Sequence, residues 1–414
     1  MYSHMSTSPH STNLSCAFME KNLFLSILLA FLVHFLTLPF VRGQVTDIFT
    51  DKQALLALKA RISHDPSNLL ASNWSASSSV CHWKGITCGA RHLRVIALNI
   101  SHLGLTATLP PQLGNLCFLA RLDITNNNFY GSLPEEYAQL RRLKYLFLNN
   151  NSLSGELPAS IFDNLPNLQL LYLHLNMFEG KIPSTLSKCR SLQNLSLSVN
   201  NFTGAIPKEI GNLTHLRAIY LGGNKLQGEI PKELGNLAKL VVLLVPNSYL
   251  TGTIPREIEN LTLIKYLILY SNKLIGAIPK EIGNLTQLRV IYLEVNRLQG
   301  EIPPEIGNLH NIELLDLGYN HLVGPVPATI FNISTMHTLS LYENQLSGIL
   351  PSIAELPNLE GLYLWGNNFS GPFPDFITNA SKLFIIDIAN NSFSGFIPST
   401  IEFKSSNVKR KSTE

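Results

Sequence analysis

Four residues in one stretch have the types to form a covalent link or hold a metal: Cys81 and Cys88, at the two ends of CHWKGITC, with His82 and His92 nearby. A thiol pair this close fits a disulfide in an oxidising compartment. A zinc site would recruit both histidines, but the C-x-x-C spacing such sites favour is absent. Elsewhere His and Asp are scattered as in solvated turns, without the grouping of a nucleophile, a base and an orienting acid, so no catalytic residue is assigned. A Gly-rich loop, a catalytic-loop Asp and a Mg-binding motif are also missing, which excludes phosphoryl transfer by these residues. No cofactor and no metal are implied. The remaining chemistry is contact. Tyr145, Phe147, Tyr172, His174, Tyr220, Tyr266, Tyr270, Tyr292, Glu294, Asp316, Tyr342, Tyr363 and Trp365, with Leu244 among them, recur at related phases of a 24-residue period. Tyr and Trp supply large contact area with few rotors and a polar tip, which suits a binding surface. The competing reading is β propensity, since exposed aromatics also favour strands.

The elements that must position this stripe are set by the period itself, most legible in LRAIYLGGNKLQGEIPKELGNLAK from Leu216 to Lys239. Leu216, Ile219, Leu221, Asn224, Leu226, Gly228, Ile230, Pro231, Leu234 and Leu237 give L-x-x-L-x-L-x-x-N-x-L-x-G-x-I-P-x-x-L-x-x-L. This resembles the leucine-rich repeat, in which each unit supplies one strand, a turn and a return arm. Ile219 and Leu221 alternate inward, leaving Ala218, Tyr220 and Gly222 outward. Asn224 is expected to satisfy backbone groups of the turn, Gly228 to take a tight or positive-φ conformation, and Pro231 to hold the arm extended.

Repeats start at Val95, Leu119, Leu143, Leu168, Leu192, Leu216, Leu240, Ile264, Leu288, Ile312, Met336, Leu359 and Leu383. The fold class is an α/β repeat solenoid: a leucine-rich repeat superhelix with one inner-face strand per repeat and an N-terminal helical cap. Strands about 4.8 Å apart make an inner sheet roughly 60 Å long, which suits an extended partner better than a buried metabolite. One solenoid also accounts for a chain of 414 residues with 45% hydrophobic but only 14% charged residues, and a net charge of +3 gives no support for nucleic-acid binding. Two repeats depart from the pattern. The first has Leu103 and Ala107 at the Asn and Gly positions, as an edge unit can. The seventh has Ser248 for Asn and Pro246 after its strand, so its ladder is expected to loosen.

Residues 1–43 read as an upstream extension plus signal peptide. Lys21 precedes an apolar run at 23–41, with small residues Val41 and Gly43 ahead of Gln44; an uncleaved membrane anchor is the competing reading. Residues 44–94 form the cap, where Asp51 is the expected N-cap of a helix carrying Ala54, Leu55, Leu58 and Ile62. Repeats occupy 95–403, about thirteen with the last incomplete, and 404–414 read as a disordered tail. Cys16 leaves with the leader, while Cys117 and Cys189 fall on return arms as small buried residues.

The cap sequence DKQALLALKARI, the CHWKGITC pair and arms reading E-I-G-N-L-T together resemble plant extracellular leucine-rich repeat receptor-like kinases, in the immune subfamily that includes the flagellin receptor. The resemblance covers residues 19 to about 403 and concerns the ectodomain only. It implies an extracellular ligand-recognition module that binds a peptide or protein on its inner face, for immune or developmental signalling. It also implies a leucine-rich repeat co-receptor kinase as a further partner, and a place in the secretory pathway, apoplast or plasma membrane. The chain reads as truncated, without membrane span or kinase, so membrane association would come through an uncleaved N-terminal segment or a missing C-terminal part. The alternative is a secreted inhibitor of a pathogen enzyme, similar to the polygalacturonase inhibitors. Paired outward arginines, which relatives use to hold a peptide carboxylate, are absent. Glu294, Asp316 and Glu343 instead suggest a basic ligand segment, although Arg121 interrupts a uniform field. Sequons at Asn73, Asn150, Asn201, Asn212, Asn260, Asn284, Asn332, Asn368, Asn379 and Asn390 fall in the cap, loops or arms, whereas Asn99 and Asn194 fall on outward strand positions. Secreted expression is expected to give a mature chain beginning at Gln44, read by N-terminal mass spectrometry; an intact run at 23–41 would contradict the leader.

Overall fold

A computed structural model describes residues 47–351, 355–374 and 376–396, all within one compact unit that starts at Asp47. The leader at 1–43 and the tail at 404–414 lie outside the described residues. From the first to the tenth repeat, each period folds as a three- to five-residue strand, a turn, a second short strand and a single helical turn. The first strands form one sheet of fourteen, in which Ile86–Cys88 runs antiparallel to Val95–Asn99 and every later strand to Ile385–Asp387 is parallel. The second strands stack into separate outer ladders, one of seven from Thr106–Thr108 to Tyr249–Thr251 and one of six from Ile275–Gly276 to Ser392–Ser394.

The core lies between these layers. Leu216, Ile219, Leu221, Leu226, Ile230, Leu234 and Leu237 are all buried, as are their counterparts in neighbouring repeats. No single turn of chain could cover so many apolar side chains, so burial requires stacking. Pro231 enters the arm at φ −62 and ψ 128, and its missing N–H costs nothing just before the helical turn Lys232–Asn236. Gly228 sits at φ +85, as a tight crossing between the strand and the arm requires.

Asn224 ties successive turns together. Its Nδ2 donates to Leu221 O of its own turn at 2.7 Å and to Leu197 O of the preceding one at 3.0 Å, while its Oδ1 accepts from Phe202 N at 3.1 Å. Asn272, Asn296 and Asn320 repeat the arrangement. Because the ladder reaches backwards, the first repeat has no preceding turn to hold. Leu103 occupies its Asn position, and Asn127 serves it from above by accepting from Leu103 N and Leu105 N. In the seventh repeat Ser248 Oγ bonds inside its own turn, to Pro246 O at 3.4 Å, instead of bridging. The long sheet continues through this point, and it is the outer ladder that breaks, between Tyr249–Thr251 and Ile275–Gly276. The residue before each ladder position adopts positive φ, even β-branched Val199 and Val295 at 54 and 53. Such a conformation costs roughly 1–3 kcal/mol and persists where its surroundings over-determine it, as the ladder does here.

The cap corrects one expectation. Helix Ile48–Arg61 is capped by Asp47, which accepts from Thr50 N at 2.9 Å in a reciprocal capping box. Asp51 lies one turn further on, fully buried, with its carboxylate 2.6 Å from Arg94 and accepting from Val95 N at 2.9 Å. It joins the helix to the first strand. Trp74 and Trp83 stack at 5.3 Å, and a disulfide links Cys81 to Cys88, which removes both thiols from any zinc site. Cys189 is buried, its thiol pushed up to about 12 by burial, with Asp163 a smaller contribution. Cys117, expected to be buried, is only half-buried, with its thiol 3.5 Å from the Arg94 guanidinium. Among the described residues no helix is long and apolar enough to cross a membrane.

Replacing Asn296 by Ala strands Leu274 N and removes one of the two amide donors from each of Leu269 O and Leu293 O, which keep Asn272 and Asn320, and is expected to cost about 1–3 kcal/mol in denaturant unfolding. Ser248→Asn restores a rung and is expected to raise the same midpoint.

Candidate functional site

Parallel pairing without register shift puts equivalent outward residues of successive strands side by side, so residues 24 apart become neighbours. The predicted stripe gathers into two clusters. In the first, Tyr145 stacks on Phe147 at 6.3 Å, Phe147 meets Tyr172 at 5.2 Å, and Tyr172 meets His174 at 6.0 Å. Polar neighbours lock these rings. Arg121 lies over Phe147 at 5.1 Å and pairs with Asp123 at 2.8 Å. Asn194 donates to Tyr172 Oη at 3.1 Å, and Ser196 Oγ lies 3.0 Å from His174 Nδ1. Burial lowers the pKa of His174 below its ordinary value, favouring the neutral ring.

The second cluster spans the eighth to twelfth repeats. Tyr270 meets Tyr292 edge-on at 6.1 Å, and Tyr342 lies parallel to Trp365 at 5.3 Å. Tyr342 reaches across a whole repeat to donate to Glu294 Oε2 at 3.1 Å. It can do so because Gly318 lies beneath its ring: a Cβ there would come within 2.3 Å of the ring edge. Asp316 departs from its expected role. Although it holds an outward position it is buried, and its Oδ1 accepts from Gly318 N at 3.0 Å. Burial, with Glu294 adding to it, holds Asp316 up to about 7, against backbone and hydroxyl hydrogen bonds that pull it down. Glu343 sits in the positive-φ turn outside the strands. The expected three-acid patch is therefore one carboxyl pair with an aromatic wall. Burial first, and neighbouring carboxylates second, push the phenols of Tyr292, Tyr342 and Tyr363 up.

Between the clusters Tyr220 and Leu244 are half-buried, and Tyr266 is exposed on its strand. Of the two inner-face sequons, Asn99 is exposed, whereas Asn194 is half-buried and already bonded to Tyr172. Asn73, Asn150, Asn212, Asn260, Asn284, Asn332, Asn368 and Asn390 are exposed, Asn201 is half-buried, and Asn379 ends the short helix Phe376–Asn379. No group of three or more His, Cys, Asp or Glu among the described residues is placed to hold a metal.

Family comparisons agree with this architecture. Residues 50–89 match a leucine-rich repeat N-terminal domain, 183–300 a leucine-rich repeat region, and 142–164, 167–189 and 358–380 single leucine-rich repeats. The crystal structure of the Arabidopsis receptor kinase HAESA, in complex with the peptide hormone IDA and the co-receptor SERK1, aligns at a TM-score of 0.65 and 31% identity over 85% of this chain and 67% of that one. The chain belongs to the leucine-rich repeat family. The ectodomain of the Arabidopsis thaliana receptor kinase GASSHO1, in complex with CASPARIAN STRIP INTEGRITY FACTOR 2, aligns at 0.78 and 32% identity, over 85% of this chain and 45% of that one. The leucine-rich repeat receptor-like kinase EFR of Arabidopsis thaliana is 42% identical over 80 residues, which are 19% of this chain and 8% of that protein. The chain thus matches a small part of the length of its curated relatives, and these relatives are plant receptor kinases.

Sequence reasoning passed over Asp123, Ser196, Ser340 and Gly318, all on outward columns of the repeat. The first three share the strand position of Tyr220, so the period could have found them; a search for aromatics did not. Gly318→Ala is expected to expel the Tyr342 ring, changing near-ultraviolet circular dichroism at a cost of about 1–3 kcal/mol. Unchanged dichroism would show that the ring does not use the notch.

Proposed function

We propose that the chain is the extracellular ligand-recognition part of a plant leucine-rich repeat receptor, of the immune group resembled by its E-I-G-N-L-T arms, and that it binds a peptide or protein along its inner sheet. It acts by recognition rather than catalysis, in the apoplast or at the plasma membrane. The observation that carries this reading is the gathering of aromatic and polar side chains into two clusters on the solvent side of one uninterrupted sheet. β propensity accounts for single exposed aromatics; it does not account for rings held by Arg121, Asn194 and Glu294 across separate repeats. The HAESA and GASSHO1 structures each hold a named ligand, and the former a co-receptor, which supports a peptide ligand and a co-receptor kinase as this chain's partners. Were both Asn99 and Asn194 glycosylated, the N-terminal part of the face would be obstructed and binding would concentrate from Tyr220 onward.

The test is a displayed library of peptides panned on the secreted chain. The Tyr220→Ala, Tyr266→Ala, Tyr292→Ala triple variant is expected to lose at least about tenfold in affinity for the enriched peptides, an effect of the size hot-spot aromatics give. Its thermal midpoint should stay within about 3 °C of the parent, since these rings lie on the solvent side. Equal binding by the folded variant would overturn the inner-face reading.

A further inference from the structure

We propose that the outer rim of the sixth to tenth repeats is a second docking surface, which takes an extended acidic segment of a partner protein whose carboxylates alternate with apolar side chains. It is separate from the inner face and does not depend on the ligand there. The residue after each ladder position leads into the outer strand. In these five repeats it is Lys225, Tyr249, Lys273, Arg297 and His321, all exposed. The same position is uncharged in every other repeat of the described residues.

Charge and sequons both isolate this stretch. Gly223, Asn247, Ser271, Val295 and Tyr319, just before the ladder position, carry no charge. Gln227, Thr251, Ile275, Gln299 and Val323, two residues further along the outer strands, carry none either. Glu229 and Glu301 come two residues later again, Glu343 one repeat beyond, and Glu294 accepts from Tyr342 on the inner face. Among the described residues no ion pair engages Lys225, Lys273 or Arg297. Asn201 and Asn368, both in sequons, occupy the same position in the fifth and twelfth repeats. Glycans there would border the basic stretch at its two ends and leave it open. Asn260, Asn284 and Asn332, the sequons of the seventh, eighth and tenth repeats, end the helical turns instead.

Pairing in the outer ladders sets the spacing. Tyr249 lies opposite Gln227, Arg297 opposite Ile275 and His321 opposite Gln299, so each step crosses one strand and advances two residues. With strands about 4.8 Å apart and two residues spanning about 6.6 Å, a step is about 8 Å. Side chains on one side of an extended peptide recur at about 6.6 Å, and the flexible stems of Lys and Arg take up the difference. Apolar groups set among the cations favour a polypeptide over a bare polyanion. Lys273 Nζ lies over the Tyr249 ring at 5.0 Å, Ile275 pairs beside Arg297, and Tyr319 and Val323 flank His321 in sequence. All four apolar side chains are exposed. Tyr and Arg are residue types that concentrate at protein interfaces. A polyanion without apolar groups would leave these four in water.

The probe is a labelled peptide of alternating Glu and Val, about ten residues long to span the column, with binding to the secreted chain read by fluorescence anisotropy at low salt. Lys273→Glu with Arg297→Glu is expected to weaken binding at least about tenfold without moving the thermal midpoint. Lys208→Glu with Lys232→Glu makes the same change in net charge on exposed lysines of the helical turns, and should leave binding within about twofold. If the reversed rim does not fold, Lys273→Gln with Arg297→Gln carries the test, with an expected loss of at least about threefold. Polygalacturonate, a polyanion without apolar side chains, should compete at least about tenfold less well than unlabelled peptide at equal charge. Equal losses in the two charge-reversed variants, no binding by the parent chain, or equal competition by polygalacturonate would overturn the proposal. The Tyr220→Ala, Tyr266→Ala, Tyr292→Ala variant should bind this probe as the parent does, so failure of the inner-face reading and failure of the rim are separate results. Hydroxyl-radical oxidation of Tyr249 should fall with this probe and stay unchanged with a peptide held on the inner face.

Discussion

The side-chain amide shared between successive turns is the constraint on which this fold depends. A turn of 24 residues has too little apolar surface to hold itself together, and stacking supplies the burial, but burial alone does not fix how far each turn slides over the next. The ladder Asn does, because its donor and acceptor reach carbonyl and amide groups of two turns at once. Fixed sliding gives parallel strands without register shift, and that in turn aligns outward residues into columns. The strained residue before each Asn is held in place by the same bonds. Where Ser248 interrupts the ladder, the long sheet survives on strand pairing and buried leucines while the outer ladder separates into two.

Alignment into columns is what turns scattered aromatics into surfaces. In the first cluster Arg121 and Asp123 satisfy each other, and burial lowers the pKa of His174, favouring its neutral ring. In the second, burial holds the Asp316 carboxyl above its ordinary range, with Glu294 adding to it. Glycine at 318 shapes this cluster: an inner-face column with one side chain missing lets Tyr342 lie down across its neighbour and reach Glu294. Recognition on such a face depends on ring placement as much as on ring identity.

Much of this was legible before any coordinates. The period, the inward alternation of Ile219 and Leu221, the backbone-satisfying Asn224, the positive φ of Gly228 and the extended arm at Pro231 all follow from local chemistry repeated many times. The Cys81–Cys88 disulfide followed from proximity in sequence. What failed was local choice between similar residues. Asp47 and Asp51 are both able to cap a helix, and only the position of Arg94, 43 residues further on, decides which is buried. Asp316 reads as an exposed acid because its strand phase is outward, yet it is buried, with the Tyr342 ring of the next repeat lying over the neighbouring Gly318. Side chains that cross a full repeat cannot be inferred from phase alone, since phase gives direction and not reach.

The most direct measurement of the account is hydroxyl-radical footprinting of the chain with and without a bound peptide. Tyr130 and Tyr249, exposed on the outer ladder, serve as internal controls. The account predicts that binding lowers oxidation of Tyr292, Tyr342 and Trp365 and leaves the two controls unchanged. Protection of Tyr130 or Tyr249 with no change on the inner face would contradict it.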